Sequence, residues 1–322
     1  MKPDARSSLR DPQRLERRSR RPRRVNHGVG RGAKRVDLDQ LSQRRPRSGA
    51  LSEMTVSQST RAASAAAAKA PSAWLAAAEL PRAAAEFGLL AASYGGLVHA
   101  AARGDGHPVL VLPGLLASDR STAALRSVLT KLGYDARPWK LGRNRGPRAI
   151  GASGERLIAE VEAIFEETGR KISLVGWSLG GIFARLIARR MPAHIRQVIT
   201  LGSPFLDDGE ATNAAKLFEL ASGTRRDDRL NRALLAELAT PSAVPSSAIY
   251  SRTDGVCAWQ VCCEPPAARR ENIEVYGSHC GLGVNPSVIY AVADRLAQDE
   301  SEWAPFEPSP WSAWAYPAAG HA

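Results

Sequence analysis

From His107 onward the chain alternates short, continuous apolar runs with stretches of helical period, and this alternation restricts the fold more than any other feature. The runs are PVLVL (108–112), YDARPW (134–139), ISLVG (172–176), VITLG (198–202), SAIYS (247–251) and IEVYG (273–277). Between the earlier ones lie Thr122–Leu132, Glu155–Thr168 and Leu179–Arg190; the last sets Ile182, Phe183, Leu186 and Ile187 on one face. Strands that are apolar throughout, rather than on alternate residues, are covered on both faces. That predicts an α/β fold with a mostly parallel sheet and helices on both sides.

The rest of the chain divides by composition. Residues 1–71 are basic and rich in Ala, Ser and Arg, and the reading is a disordered extension with an alternative start at Met54. Residues 1–50 hold 16 Lys/Arg and 5 Asp/Glu, so +11 of the net charge of +12 sits in this arm and the body is near neutral. An arm of this kind can serve nucleic acid or an anionic surface, but no aromatic or motif partner accompanies it, so a solvated extension is the preferred reading. Residues 72–102 form a helical lead-in that docks on the core, with interruptions expected at Pro81 and Gly95-Gly96. The main domain spans 103–302. Within it, 205–245 offers helices where one connection is enough, and this insertion is a candidate lid. Residues 303–322 make a Trp- and Pro-rich tail lying extended against the domain.

No apolar h-region follows the basic start and no run of about 18 apolar residues occurs, so neither a signal peptide nor a spanning helix is expected; the expected location is the cytoplasm, with peripheral membrane contact as an option. Cys257, Cys262, Cys263 and Cys280 form no CxxC pair, so zinc is not expected and free buried thiols are, with a Cys257–Cys280 disulfide as the alternative. No cofactor or metal is implied, and oligomeric state is not legible.

The chemistry concentrates in GWSLGG, Gly176–Gly181. G-x-S-x-G is common by chance, but here it joins an apolar strand to an amphipathic helix. In that setting Ser178 stands on a sharp turn and the Leu179 N–H opens a helix N-terminus beside it, half of an oxyanion hole. The alternative is a glycine-rich turn with an inert serine. Downstream of Ser178 only His279 and His321 are available as a base; His321 is the penultimate residue, whereas His279 sits in GSHCGLG directly after a strand. The acid expected after the preceding strand is Asp254 in SRTDG, with Gly255 allowing the turn and Asp207 and Asp208 as rivals. The loop after PVLVL reads LPGLLASD. There Gly114 permits an unusual turn, the Leu115 N–H is the first candidate for the second oxyanion donor, and Leu116 is the second.

Taken together, HPVLVLPG, GWSLGG, YSRTDG and GSHCGLG resemble the α/β-hydrolase superfamily, specifically a lipase- or esterase-like serine hydrolase, over about residues 105–298. The resemblance implies an eight-stranded type of sheet, the triad Ser178–Asp254–His279 and an acyl-enzyme mechanism without cofactor. Pro113-Gly114 replaces the His-Gly of many lipase oxyanion loops. Leu115, Leu116 and Trp177 point to an apolar acyl group on a small ester or lipid. A thioesterase, amidase or acyltransferase using the same triad is the alternative, and a non-catalytic hydrolase-fold binding protein or a basic-tail nucleic-acid binder a third.

Overall fold

The computed structural model describes residues 67–151, 153–206, 210–223, 238, 240 and 242–317. Asp207, Asp208, His321, the basic arm to residue 66 and most of 224–241 lie outside the described residues.

Six strands form one sheet: β1 (Pro108–Leu112), β2 (Asp135–Pro138), β3 (Ile172–Trp177), β4 (Ile195–Leu201), β5 (Ser246–Tyr250) and β6 (Arg270–Glu274). Their spatial order is β2-β1-β3-β4-β5-β6 and every neighbouring pair is parallel. This is the doubly covered α/β architecture that the apolar runs require. The described residues supply six strands, not the eight that the resemblance implies. β6 also starts three residues before the IEVYG run, because its mixed sequence RENIE is an edge strand whose polar positions need not be buried.

The helices are α1 (Ala73–Ala100), α2 (Ala123–Leu132), α3 (Glu155–Thr168), α4 (Leu179–Arg190), α5 (Ala215–Ser222) and α6 (Pro286–Ala297), with a single turn at Pro147–Ile150. Alternate residues of β1 sort the two layers. Val109 and Val111 face α1, α2 and α6 through Leu90, Leu97, Leu125, Leu129, Val288 and Val292. Leu110 and Leu112 face α3 and α4 through Leu157, Val161, Phe183 and Ile187. β1 is fully buried, so each of its residues contributes to one core or the other, worth about 1.5–3 kcal/mol per large apolar side chain relative to exposure. The tail adds to the first layer: Phe306 and Tyr316 are buried against it, and the Tyr316 hydroxyl donates to the Ser287 carbonyl at 2.8 Å.

α1 departs from the sequence expectation. It runs unbroken for 28 residues through Pro81 and Gly95-Gly96. A proline in a helix interior removes one hydrogen bond and costs about 3 kcal/mol. Here the helix is held on both sides of it by side chains bonded to the domain, Glu79 before and Arg82 and Glu86 after, so tertiary anchoring overrides the local penalty. Among the described residues, no helix is long and apolar enough to cross a membrane.

Candidate active site

All the parallel strands deliver their carboxyl ends to one edge, and four loops there carry the chemistry. The first is the junction of β3 and α4. Ser178 holds φ +52° and ψ −121°, a conformation that L-residues avoid and that costs on the order of 1–3 kcal/mol. Its N–H donates to the Leu201 carbonyl of β4 at 2.8 Å, and its own carbonyl accepts from the Gly181 N–H at 2.9 Å, so the strained residue is pinned from both sides. The glycines are required by close approach. A Cβ on Gly180 would collide with the Leu112 carbonyl oxygen, and one on Gly176 with the Gly181 backbone. As the first residue of α4, Leu179 has an N–H without an intrahelical acceptor, directed out of the helix N-terminus.

The second loop follows β1. Gly114 lies against Ser178, where an added Cβ would be 3.4 Å from the serine Cβ. The unusual backbone is not at Gly114, as the sequence suggested, but at Leu116 with φ +59°. Leu116 therefore cannot serve as the reserve donor, because its N–H is committed to the Asn144 carbonyl at 2.7 Å. The Ala117 N–H returns to the Gly114 carbonyl at 3.1 Å. Between them the Leu115 N–H has no acceptor among the described residues. Asn144, fully buried, fastens the loop by donating to the Pro113 carbonyl at 2.7 Å; nothing in the chain order marked it for this task.

The third and fourth loops follow β5 and β6. Asp254 and His279 are buried, and His279 Nδ1 lies 2.6 Å from Asp254 Oδ2. The other carboxylate oxygen accepts from the Val256 and Cys257 N–H groups at 2.8 and 2.7 Å. With Oδ2 receiving the ring N–H, Nδ1 is the protonated nitrogen and Nε2 is left as the acceptor. The loops are also joined through Ser251, whose hydroxyl donates to the Gly277 carbonyl at 2.7 Å. Gly255 is needed for a reason other than the turn: a Cβ there would strike the Leu75 carbonyl of α1. Trp177, expected as a pocket wall, links two of these loops. Its indole N–H donates to the His279 carbonyl at 3.0 Å and so ties the serine turn to the histidine loop.

Burial works against charge on the His279 ring, but the charge of Asp254 and its hydrogen bond, with Cys257 and Glu79, outweigh it and raise the pKa to about 10. All four thiols are free, so the Cys257–Cys280 bridge does not form. Burial pushes the Cys280 thiol up to about 12 and also raises the Cys262 thiol well above its ordinary value. Ligand atoms of Asp254, Cys257 and His279 lie within 4.8 Å of one another, a spacing that a metal could use. Both Asp254 oxygens already accept from three N–H groups, so the carboxylate could bind an ion only by giving up bonds that hold the acid and base loops.

A second Ser/His/Asp constellation sharpens the comparison. At the amino end of the same sheet His107 Nε2 lies 2.9 Å from Ser173 Oγ and its Nδ1 lies 2.5 Å from Asp105 Oδ1. Ser173 is wholly buried in β3 with ordinary strand geometry, and among the described residues no helix starts beside it, so it is closed to an acyl group. Burial drives the His107 imidazolium down, a satisfied core histidine and not a base awaiting a substrate. An apolar groove of about 410 Å³ between α1, α6 and the tail, lined by Leu89, Tyr290, Trp311 and Trp314, shares no residue with either constellation.

A parallel six-stranded sheet with a strained serine between strand and helix, and an Asp–His pair two loops further on, is the architecture of the α/β-hydrolase fold. Comparison with known families gives a match over residues 143–224 to the family described as "Putative serine esterase (DUF676)". That span contains the Ser178 turn and Asn144 but stops short of Asp254 and His279. Among solved structures the chain is similar to an α/β superfamily hydrolase from Oenococcus oeni PSU-1 (16% identity, 62% of this chain and 94% of that one, TM-score 0.43). It is also similar to the Paleococcus ferrophilus monoacylglycerol lipase (16%, 61% and 96%, TM-score 0.44). No curated protein matches the chain.

Proposed function

We propose that the protein is a serine hydrolase that cleaves carboxylic esters carrying an apolar acyl group. The observation that carries this reading is the hydrogen-bonded Asp254–His279 pair at the same sheet edge as a serine held at positive φ. The partial match to a serine esterase family over the Ser178 turn supports it.

In this mechanism Ser178 Oγ attacks the ester carbonyl carbon while its proton passes to His279 Nε2. Asp254 keeps the Nδ1 proton in place and offsets the imidazolium charge that forms; it does not itself take up the proton. The Leu179 N–H and the Leu115 N–H receive the tetrahedral oxyanion. Collapse breaks the bond to the alcohol, which leaves with the proton from Nε2 and gives an acyl-serine. Water then loses a proton to Nε2 and attacks the acyl carbon. Its collapse returns a proton to Ser178 and releases the acid. Leu115 and Leu116 beside the oxyanion site suit an apolar acyl chain, and a charged one would find no partner on them.

Fluorophosphonate labelling of the purified protein, beside a p-nitrophenyl ester series from acetate to dodecanoate, tests the proposal. Labelling and turnover are expected in the wild type and absent in Ser178→Ala and His279→Ala. A label that persists in Ser178→Ala would sink the assignment.

A further inference from the structure

α1 carries three formally charged side chains in 28 residues, and all three turn inward. Glu79, Arg82 and Glu86 fall at i, i+3 and i+7, one face of the helix. Away from that face, Trp74, Leu80 and Phe87 are exposed to solvent. A helix that merely covers a core has the reverse pattern, apolar inward and charged outward, and α1 adopts it only further along, where Leu90 and Leu97 are buried.

The inward charges meet the two loops that hold Asp254 and His279. Glu79 is buried, and its carboxylate accepts from the Gly255 N–H and from the Cys280 N–H, both at 2.7 Å. Those residues immediately follow Asp254 and His279, so one carboxylate bridges the acid loop and the base loop at their functional positions. Arg82 repeats the span with donors, to the Thr253 carbonyl at 2.7 Å and the Gly277 carbonyl at 2.7 Å. Glu86 holds the base loop from the far side, accepting from the Ser278 N–H at 2.7 Å and from Asn285 Nδ2 at 3.1 Å. The contact at Gly255 is close enough to exclude any side chain there.

We propose that α1 is a working part of the site, with Glu79 as a positioning residue that locks the acid loop to the base loop and so fixes the His279 ring against Asp254. The proposal rests on the triad reading above. Here each carboxylate oxygen takes one donor, Oε1 the Gly255 N–H and Oε2 the Cys280 N–H. A glutamine supplies one oxygen and turns an NH₂ toward the remaining N–H, so Glu79→Gln cuts one link while nearly preserving shape. The titratable groups around His279 and its loop are Asp254 and Cys257 from the acid loop, Cys280 beside it, and Glu79, Arg82 and Glu86 from α1. Of these, Glu79 is among the charges that favour the protonated ring, so its neutralisation also has a titration signature.

The test compares wild type, Glu79→Gln, Arg82→Met and Leu97→Ala as full chains, using p-nitrophenyl butyrate between pH 6 and 10.5 with thermal melts alongside. Leu97 is a buried α1 residue about three turns beyond Glu86 that makes no hydrogen bond to either loop, so it reports helix destabilisation. Glu79→Gln is expected to lower kcat by on the order of 10²-fold, as for a misplacement of about 1 Å. KM should change less than about twofold under that geometric effect, and the acid limb of the pH profile should move to lower pH. Leu97→Ala should lower the melting temperature without moving the limb. Wild-type kcat and an unmoved limb in Glu79→Gln would overturn the proposal. If that variant does not fold, Arg82→Met decides: loss in kcat with KM held supports the clamp, and unchanged kcat overturns it. Fluorophosphonate labelling separates the two levels. A label independent of Ser178 overturns the triad reading and this inference together, whereas Ser178-dependent labelling with an unaffected Glu79→Gln overturns the α1 role alone.

Discussion

Replacing Asp254 with asparagine is the most discriminating single change, because the two residues have the same shape and differ in what they can offer. The carboxylate uses both oxygens as acceptors, one for His279 Nδ1–H and one for the Val256 and Cys257 N–H groups. Asparagine has one acceptor. If its oxygen faces the two backbone donors, its NH₂ faces Nδ1, which must then surrender its proton and become the acceptor. The ring proton moves to Nε2, the nitrogen that has to receive the serine proton, and the base is disabled with its position unchanged. The opposite orientation sets an NH₂ against two N–H groups in a buried site, at about 1–3 kcal/mol for each group left unsatisfied. A tautomer reversal of this kind costs about 10⁴-fold in kcat, or about 5 kcal/mol of transition-state stabilisation. The assay is p-nitrophenyl butyrate turnover at pH 8, with a thermal melt showing that the variant remains folded. Activity within about tenfold of wild type would refute the acid assignment. Asp208→Asn would then be the next measurement, since the acid would have to come from the loop after β4.

Two further outcomes follow from the same geometry. Ser178→Gly should abolish turnover yet stabilise the fold by about 1 kcal/mol, read as a higher melting temperature, because glycine adopts φ +52° without strain; a lower melting temperature would show that the serine is not strained. The raised pKa of His279, about 10, has a definite sign for both activity and stability. The base must be neutral, so kcat/KM should climb from pH 7 towards 10, beyond the ordinary histidine value near 6.5. The same shift stabilises the fold fully below about pH 6.5 and is lost as pH rises through about 10, which melts of wild type against His279→Gln would register. A rate profile already flat at pH 7 would contradict the raised value.

The parts legible in the sequence are those where one residue type answers to one local demand. Continuous apolar runs encoded buried parallel strands, and β1 came out at its observed bounds. Gly176 and Gly180 beside a serine encoded a turn that only bare backbone can make. The edge strand β6 was misplaced because RENIE carries no apolar period. The sequence ranks Leu115 ahead of Leu116 without a side-chain reason, since a backbone donor leaves no trace in side-chain identity; the Asn144 carbonyl, some thirty residues away, is what occupies the Leu116 N–H.

α1 was legible as a helix and illegible as a component of the site, and the reason is general. Three charges in an Ala-rich helix read as its solvated stripe, because amphipathic patterning assumes that charge faces water. Burying a carboxylate costs several kcal/mol unless hydrogen bonds replace its water. Glu79 meets that condition with two backbone N–H donors that exist only when the loops after β5 and β6 are already folded beside it. The contrast with Ser173, His107 and Asp105 runs the same way. There Asp105 and His107 are near neighbours and the group is complete within β3 and the residues leading into β1, yet Ser173 is closed to any substrate. Side-chain identity and spacing therefore do not separate the two constellations. What separates them is position on the sheet: among the described residues only the carboxyl edge combines an N–H-bearing helix start, a serine forced out of strand geometry, and two loops joined by one buried carboxylate.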